Sequence, residues 1–385
     1  MSNQIIGFTF RSPTIIFGRN SLDSIGSEVR DFGDALLVTG KSAMKKARFT
    51  DKITDLLKKE KLNTYLFDKI DPEPTVEILD ECFQFARECN VSCVIGLGGG
   101  SVLDASKPIA ALYRENIITV SEFMGKKFTK PGIPFIAIPS TSGTGSEVTK
   151  NSVIRVMKEG RKYSIFRDPS MIARIAILDP YVTATMPPRI TAASGMDALV
   201  QAIECFISLK ANTLSNLLSI NAIEIIGKNL KFAVKNGQDI DVREKLAYGS
   251  LISGLAFSNG GLGAIHGLAH PIGFQHNVPH GVICALLLPH VMEFNKDVCK
   301  EKFAVIAEKL DLDIKNKSIE ERANLTINFI NTLIKEINLP TKLSELNIKE
   351  SNIPNIVKDT KGSSLNANPR KATPEFLTKI LKNAL

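Results

Sequence analysis

The 385-residue chain contains no tryptophan, only five tyrosines and only five histidines. Its basic surplus is small, with 48 Lys and Arg against 40 Asp and Glu, and no block of five or six like charges occurs. Few aromatic rings and a dispersed charge leave little with which to stack on bases or follow a phosphate backbone. We therefore expect no nucleic-acid partner, and the net charge of +8 predicts solubility with a mild attraction for anions.

Long apolar runs and closely spaced cysteines are also missing. No apolar stretch reaches the roughly 18 residues of a membrane span, and the chain does not begin with a basic segment followed by a long apolar one. The cysteines have no CxxC spacing, which indicates small buried side chains in a reducing compartment. They are Cys82, Cys89, Cys93, Cys205, Cys284 and Cys299. We predict a cytoplasmic protein with no membrane partner.

The periodicity of apolar residues divides the chain into two parts. Up to about residue 187, short apolar runs at 35–39, 63–67 and 91–97 alternate with helix-like stretches, including one over 42–60. Such alternation is typical of βαβ units in a parallel sheet. Later residues show long helical periodicities and almost no strand signals. The sequence predicts an α/β domain with a parallel sheet over residues 1–187 and an all-α domain over residues 188–385.

Two glycine-rich loops follow predicted strands. Gly98, Gly99, Gly100 and Ser101 come directly after an apolar run and before a helix-like segment, a context in which glycines and a helix N-terminus bind phosphate. Residues 139–147, PSTSGTGSE, follow the next strand and concentrate hydroxyl groups at its carboxyl end. A tight structural turn and an ordinary polar loop are the alternatives. Because both loops follow strand ends, together they favour a nucleotide site.

All five histidines lie within 25 residues, at His266, His270, His276, His280 and His290. The first two are four residues apart and share a helical face, and His280 lies in an expected turn, VPHG. Such clustering in a chain otherwise free of histidine indicates a metal or acid–base site. For His276 and His290 we favour an ordinary structural role.

A line of polar residues, Asp197, Gln201 and Glu204, runs along an otherwise apolar helical segment. Polar groups in such a place need a partner, and a cation held jointly with the histidines would supply one. The alternative is a helix that begins at Ser194 and Gly195, with Asp197 in a first turn that favours negative charge.

In this order, these motifs resemble the iron-containing (group III) alcohol dehydrogenase family. The matching motifs are GGGS at 98–101, PSTSGTGSE at 139–147, GMDAL at 195–199, HGLAHP at 266–271 and PHG at 279–281. The resemblance implies a dinucleotide-binding α/β domain, a helical metal and substrate domain, and an active site in the cleft between them. It also implies hydride transfer between NAD(P) and a small alcohol or aldehyde, and a homo-oligomer such as a dimer.

The resemblance also assigns site residues. The metal, iron or zinc, is expected on Asp197, His266 and His280, and His270 is expected beside substrate and nicotinamide, where a proton must move. The implied cofactor contacts are Gly99, Gly100, Ser101, Thr141, Ser142, Thr144, Asn151 and Lys162.

Gln201 departs from the family, whose members usually have a histidine four residues after the aspartate. An amide oxygen is a weaker ligand than imidazole, so we expect a weakly bound divalent ion, with Gln201 as a weak fourth oxygen donor or as the partner of a bound water. Glu204, one turn along, is an alternative donor. The other hypotheses are a metal-independent reductase in which Gln201 donates to the substrate, a related polyol-phosphate dehydrogenase or lyase, and a non-catalytic assembly role.

The end of the first predicted strand indicates which nicotinamide cofactor is used. The family often has Asp where this chain has Gly40, and a carboxylate there would repel a 2′-phosphate. Lys41 and Ser42 follow and would receive that phosphate. We therefore expect NADP in preference to NAD.

Overall fold

The structure, a computed structural model, describes residues 7–385. They form two compact units. Residues 12–186 make the α/β unit, and residues 187–385, with the described residues before Ser12, make the helical unit. The predicted division into separate domains at residues 187 and 188 stays a prediction.

A six-stranded parallel sheet organises the α/β unit, with spatial order β1-β8-β5-β4-β2-β3. Its strands are β1 (Thr14–Phe17), β2 (Ala35–Gly40), β3 (Thr64–Ile70), β4 (Cys93–Gly98), β5 (Phe135–Pro139) and β8 (Ile175–Leu178). The inner strands are buried along almost their whole length. Burial on both faces is why they form continuous apolar runs in the sequence, and the predicted parallel sheet is confirmed.

Helices of this unit pack on both faces of the sheet. They are α1 (Ile25–Val29), α2 (Ala43–Lys46), α3 (Phe49–Lys59), α4 (Val76–Glu88), α5 (Gly100–Leu112) and α6 (Pro180–Thr183). Leu36 and Val38 of β2 share a core with residues of α4 and α5, whereas Leu37 shares one with residues of α1 and α3. This division follows from the alternation of side chains along a strand.

Two local features differ from the sequence prediction. The helix expected over residues 42–60 is broken into α2 and α3, because Arg48 has a left-handed backbone with φ of 62°. An antiparallel hairpin of β6 (Asn151–Val156) and β7 (Arg161–Arg167) was not predicted. Its first strand alternates buried and half-buried residues, which is a strand pattern, but only half of its residues are apolar.

The strand order creates a switch point beside β2 and β4. These strands are neighbours, yet the chain leaves β2 for β3 on one side and leaves β4 for β5 on the other. In open α/β sheets, ligands bind at the carboxyl ends of strands at such a point. The carboxyl ends of three adjacent strands lie here. Gly40 ends β2, the loop from Gly99 to Ser101 follows β4, and the loop after Pro139 follows β5.

The helical unit contains eight helices in the part of the chain that the structure describes. They are α7 (Pro188–Ile207), α8 (Thr213–Lys235), α9 (Ile240–Gly260), α10 (Ala264–His276), α11 (His280–Lys309), α12 (Ile319–Glu336), α13 (Ile353–Asp359) and α14 (Pro374–Asn383). Among described residues, only α7 is long and apolar enough to cross a membrane, and 89% of that window is buried within the protein. Its composition is that of a core helix, and the predicted all-α architecture is confirmed.

A buried lysine joins the second glycine-rich loop to α5. The Lys107 ammonium donates hydrogen bonds to the hydroxyls of Ser146 and Thr149, each at 2.8 Å, and to the carbonyl oxygen of Asn151 at 2.9 Å. It also lies 3.2 Å from the carboxylate of Asp104. Burial lowers the pKa of Lys107, and the Asp104 carboxylate opposes that effect. The loop and β6 are therefore tied to α5 by one fully enclosed cation.

We expect Lys107→Met to lower the free energy of unfolding by about 3–5 kcal/mol, because Asp104 and the loop would lose their buried partner. Urea denaturation measures the change. The matched control is Lys231→Met, which removes a partly exposed ion pair with Glu336 and is expected to cost no more than about 1 kcal/mol. Equal stability of the two variants would contradict the structural role of Lys107.

Candidate metal and cofactor sites

Four side chains of the helical unit converge on one point. Asp197 of α7, His266 of α10, and His280 and Cys284 of α11 each present a donor atom, and these atoms all lie within 4.8 Å of one another. The Nε2 atoms of His266 and His280 lie 3.6 Å and 3.7 Å from Oδ1 of Asp197. The structure thus brings together the three predicted ligands and adds a cysteine.

The donor atoms in this group fit a divalent cation. Oδ1 of Asp197 and Nε2 of His266 are buried and have no hydrogen-bond partner. Leaving two such atoms unsatisfied is costly. A cation shared between a carboxylate oxygen and imidazole nitrogens satisfies both, and this donor set suits zinc and other transition metals.

Glu204 fixes the orientation of His266. Its Oε2 lies 2.6 Å from Nδ1 of the imidazole and accepts from the Gly263 amide at 2.9 Å, while its Oε1 accepts from the Ile265 amide at 2.7 Å. A proton on Nδ1 leaves the Nε2 lone pair for a metal, as in carboxylate–histidine–metal arrangements. Both oxygens of Glu204 are engaged by these contacts, and Glu204 is not a member of the four-residue group, so it orients His266 instead of supplying a further donor.

The surroundings of His266 have opposing effects on its pKa. Burial lowers it, but the negative charge of Asp197 and Glu204, together with the hydrogen bond to Glu204, prevails and raises the pKa to about 9. Two carboxylates beside one imidazole make this pocket attractive to positive charge of any kind.

Two local features differ from what the sequence suggests. The helix that carries Asp197 begins at Pro188, so this carboxylate lies in the helix interior, and the alternative that places it in a first turn is excluded. His280 is the first residue of α11 rather than part of a turn. The start of α11 packs closely on α7, because a Cβ at Gly281 would lie 2.1 Å from the carbonyl oxygen of Ala193.

Gln201 lies beside the group without adding a charge. It is buried, and its amide Nε2 donates to Oδ2 of Asp197 at 3.1 Å, whereas its Oε1 has no hydrogen-bond partner. One hydrogen of this amide therefore holds the carboxylate in place.

The remaining histidines differ in their surroundings. The ring of His270 stacks on that of His280 with centroids 5.4 Å apart. His276 and His290 are not members of the four-residue group, and burial lowers the pKa of each. This arrangement agrees with the ordinary structural role that we favour for His276 and His290.

The two glycine-rich loops of the α/β unit lie against each other. A Cβ at Gly100 would lie 2.7 Å from Thr144, and one at Gly99 would lie 3.2 Å from Thr141. The N-terminus of α5 opens between these contacts, with Gly99 as its cap. The hydroxyl of Ser142 is buried and has no hydrogen-bond partner. The first turn of α5 and the buried hydroxyl of Ser142 thus lie where the switch point predicts a phosphate site.

At the end of β2, Lys41 and Ser42 are exposed. The Lys41 ammonium pairs with the Asp71 carboxylate at 2.7 Å. Two other predicted cofactor contacts lie in the β6–β7 hairpin: Asn151 accepts from Lys107 through its carbonyl group, and the Lys162 ammonium contacts the Glu73 carboxylate at 2.5 Å. Three of these residues are therefore engaged by neighbours within the protein.

Sequence reasoning did not identify Cys284 as a site residue. We expected all six cysteines to be buried hydrophobic side chains, but only this one joins the metal-binding group. The spacing from His280 to Cys284 is four residues, which places both on one face of a helix. The spacing is informative only once α11 is known to begin at His280, because the turn expected at PHG separates the two residues.

Comparison with known proteins identifies the class. The iron-containing alcohol dehydrogenase profile matches residues 12–180, and the profile for the C-terminal part of the Fe-containing alcohol dehydrogenase family matches residues 191–385. The chain belongs to the iron-containing alcohol dehydrogenase family. It is accordingly an oxidoreductase of alcohols and aldehydes that uses NAD(P) and a divalent metal, as its resemblance implied.

The curated relatives are similar over nearly their whole length. Lactaldehyde reductase of Escherichia coli K12 is 34% identical over 100% of both chains. NAD-dependent methanol dehydrogenase of Bacillus methanolicus is 31% identical over 98% of this chain and 99% of the relative. NADPH-dependent butanol dehydrogenase of Clostridium saccharobutylicum is 33% identical over 96% and 95%.

Solved structures share the same fold. A 1,3-propanediol oxidoreductase superimposes with a TM-score of 0.94 at 31% identity, covering 99% of this chain and 100% of that one. Sulfoacetaldehyde reductase from Bifidobacterium kashiwanohense, solved with NAD+, gives a TM-score of 0.89 at 28% identity over 98% and 99%.

We expect Glu204→Gln to weaken zinc binding by about 10–100-fold, since a neutral amide cannot accept from two backbone amides and the imidazole together. Competition with a chromophoric chelator measures the affinity. Glu224→Gln on α8 is the control, because that carboxylate contacts Lys228 and Lys309 and should leave affinity unchanged. If Glu204→Gln binds zinc as tightly as the parent protein, the orienting role is incorrect.

Proposed function

We propose that this protein reduces small aldehydes with a nicotinamide cofactor, using a divalent metal held by Asp197, His266 and His280. The observation that supports this assignment best is the convergence of these three side chains. Two of their donor atoms, Oδ1 of Asp197 and Nε2 of His266, are buried and have no hydrogen-bond partner. When bound, a metal polarises the carbonyl oxygen and the cofactor supplies the hydride. Relatives that act on lactaldehyde and butanol support small aldehydes and alcohols as the substrate class.

We assign His270 to proton movement and substrate positioning rather than to metal binding. It lies on α10 one turn after His266, and its ring stacks on that of His280. A half-buried imidazole next to the metal ligands is suited to deliver the proton that an alkoxide needs.

A metal-independent reaction is less well supported. It requires the second hydrogen of the Gln201 amide to reach the substrate oxygen, since the first is donated to Asp197, and it leaves Oδ1 of Asp197 and Nε2 of His266 buried without a hydrogen-bond partner. Family membership likewise favours alcohol dehydrogenase chemistry over a polyol-phosphate dehydrogenase, a lyase or a non-catalytic role.

Two variants separate the proposed roles. Asp197→Ala should lose both bound metal and aldehyde reductase activity, because the carboxylate is the central donor. His270→Ala should keep its metal while kcat falls about 100-fold or more, as for loss of a general acid. Mass spectrometry of the native protein and NADPH oxidation with short aldehydes give the two readouts. Full activity in protein shown to be free of metal would refute the metal-dependent function.

We further propose that the cofactor is NADPH rather than NADH. Gly40 places no carboxylate at the end of β2, and Lys41 follows it. Asp71 opposes this preference, because it contacts the same ammonium. An incoming 2′-phosphate carries more charge than that carboxylate and competes for Lys41.

Lys41 and Asp71 therefore allow a test with opposite expectations. Lys41→Ala should lower the ratio of kcat/KM for NADPH to that for NADH by about 10-fold, because one exposed charge-assisted hydrogen bond is lost. Asp71→Asn should raise the same ratio by freeing the ammonium. A ratio that already favours NADH in the parent protein, or that both variants move in one direction, would overturn the proposal.

We also propose a cytoplasmic location and a homo-oligomeric state. All six cysteines are free thiols, which suits a reducing compartment, and the family resemblance is the basis for oligomerisation. Cell fractionation and sedimentation velocity test these two proposals separately. Recovery of the protein outside the cytoplasm, or a monomer at micromolar concentration, would count against the respective statement.

A further inference from the structure

Cys284 occupies the position that a fourth metal ligand needs. Its sulfur lies within 4.8 Å of the donor atoms of Asp197, His266 and His280, and the side chain is fully buried. We propose that the Cys284 thiolate replaces the imidazole that is missing at position 201, which makes the site an Asp-His-His-Cys centre. This inference rests on the proposed metal site.

The backbone makes this substitution possible. His280 is the first residue of α11, and Cys284 follows one turn later on the same face. The close contact between Gly281 and Ala193 holds this first turn against α7, which carries Asp197. A helix that already provides one ligand can thus provide a second without moving.

Gln201 is the competing candidate, and its contacts favour a supporting role. One amide hydrogen is donated to Oδ2 of Asp197. The other carboxylate oxygen, Oδ1, has no hydrogen-bond partner and is therefore the one available to a metal. A neutral amide oxygen is a poor ligand for transition metals, whereas a thiolate is a strong one. Gln201 therefore orients Asp197, and Cys284 supplies the stronger bond.

Charge balance supports the same assignment. As the metal–sulfur bond forms, the thiol proton is released to solvent, because the thiolate is the species that binds metal. The two directly bound anionic ligands, one carboxylate and one thiolate, then match the charge of a divalent ion, while the Glu204 carboxylate is held by two backbone amides and His266. Soft sulfur favours zinc over iron(II), and zinc expands to five ligands, so four protein donors still admit an exchangeable one.

Cobalt(II) gives a test that does not depend on activity. A cobalt–thiolate bond produces a sulfur-to-metal charge-transfer band in the near ultraviolet, and oxygen and nitrogen ligands alone do not. The full-length protein is loaded with one equivalent of cobalt, and its absorption is compared with that of Cys284→Ser, Gln201→Ala and Cys299→Ser. Cys299 is the matched control, since it is a buried cysteine of the same helix outside the group.

We expect the band in the parent protein, in Gln201→Ala and in Cys299→Ser, and its loss in Cys284→Ser. Zinc affinity should fall in Cys284→Ser by more than the roughly 10–100-fold that loss of a partner outside the ligand set costs. Circular dichroism confirms that each variant is folded, and Cys284→Ala serves as a second variant if serine is not tolerated. A band that survives removal of Cys284, or its absence from cobalt-loaded parent protein, overturns the inference.

The outcomes also separate this inference from the proposed function. Metal-dependent aldehyde reduction without the band leaves the function intact and removes Cys284 from the ligand set. A band without aldehyde reduction supports the cysteine ligand and refutes the proposed reaction. Failure to bind cobalt or zinc at all overturns both.

Discussion

The contact on which the helical unit's site depends is that between the Glu204 carboxylate and the start of α10. One buried carboxylate accepts from two backbone amides at this helix N-terminus and from the imidazole of His266. The backbone contacts fix where α10 begins, and the imidazole contact fixes which nitrogen faces Asp197. His270 lies one turn later on the same helix. The contacts of Glu204 with the start of α10 therefore also determine where His270 lies relative to His280. The negative charge would be costly to bury without these partners, so the helix start and the site stabilise each other.

Much of this arrangement was visible in the sequence, and the reasons are physical. Strands buried on both faces appear as continuous apolar runs. Five histidines within 25 residues, in a chain that has no others, indicate a metal or acid–base site. The break at Arg48 could not be foreseen, because a left-handed arginine has no compositional mark and depends on packing that forms later. The β6–β7 hairpin was missed since half of its strand residues are polar. Cys284 was missed because its role depends on where α11 begins, and helix boundaries are the least certain part of a sequence prediction.

In the α/β unit, small residues allow two loops to pack closely. Gly99 and Gly100 let these loops approach each other at the candidate phosphate site, and Lys107 donates a hydrogen bond to Ser146 of the second loop. Neither glycine has a positive φ; they are needed for space, because a side chain would collide with the threonines opposite. In the helical unit the candidate ligands are side chains carried by helices, whereas in this unit the backbone itself is the candidate ligand.

The absence of a side chain at Gly281 limits how this protein can change over evolutionary time. A single methyl group there would meet the carbonyl oxygen of Ala193, so the spacing between α7 and the start of α11 is nearly fixed. Ligands that point inward from these helices can be exchanged one at a time, provided that the helices stay where they are. Positions 201 and 284 each lie one turn from a proposed ligand, Asp197 and His280. Two point substitutions can therefore move one metal donor from α7 to α11. The backbone stays unchanged, and the new centre prefers a different metal.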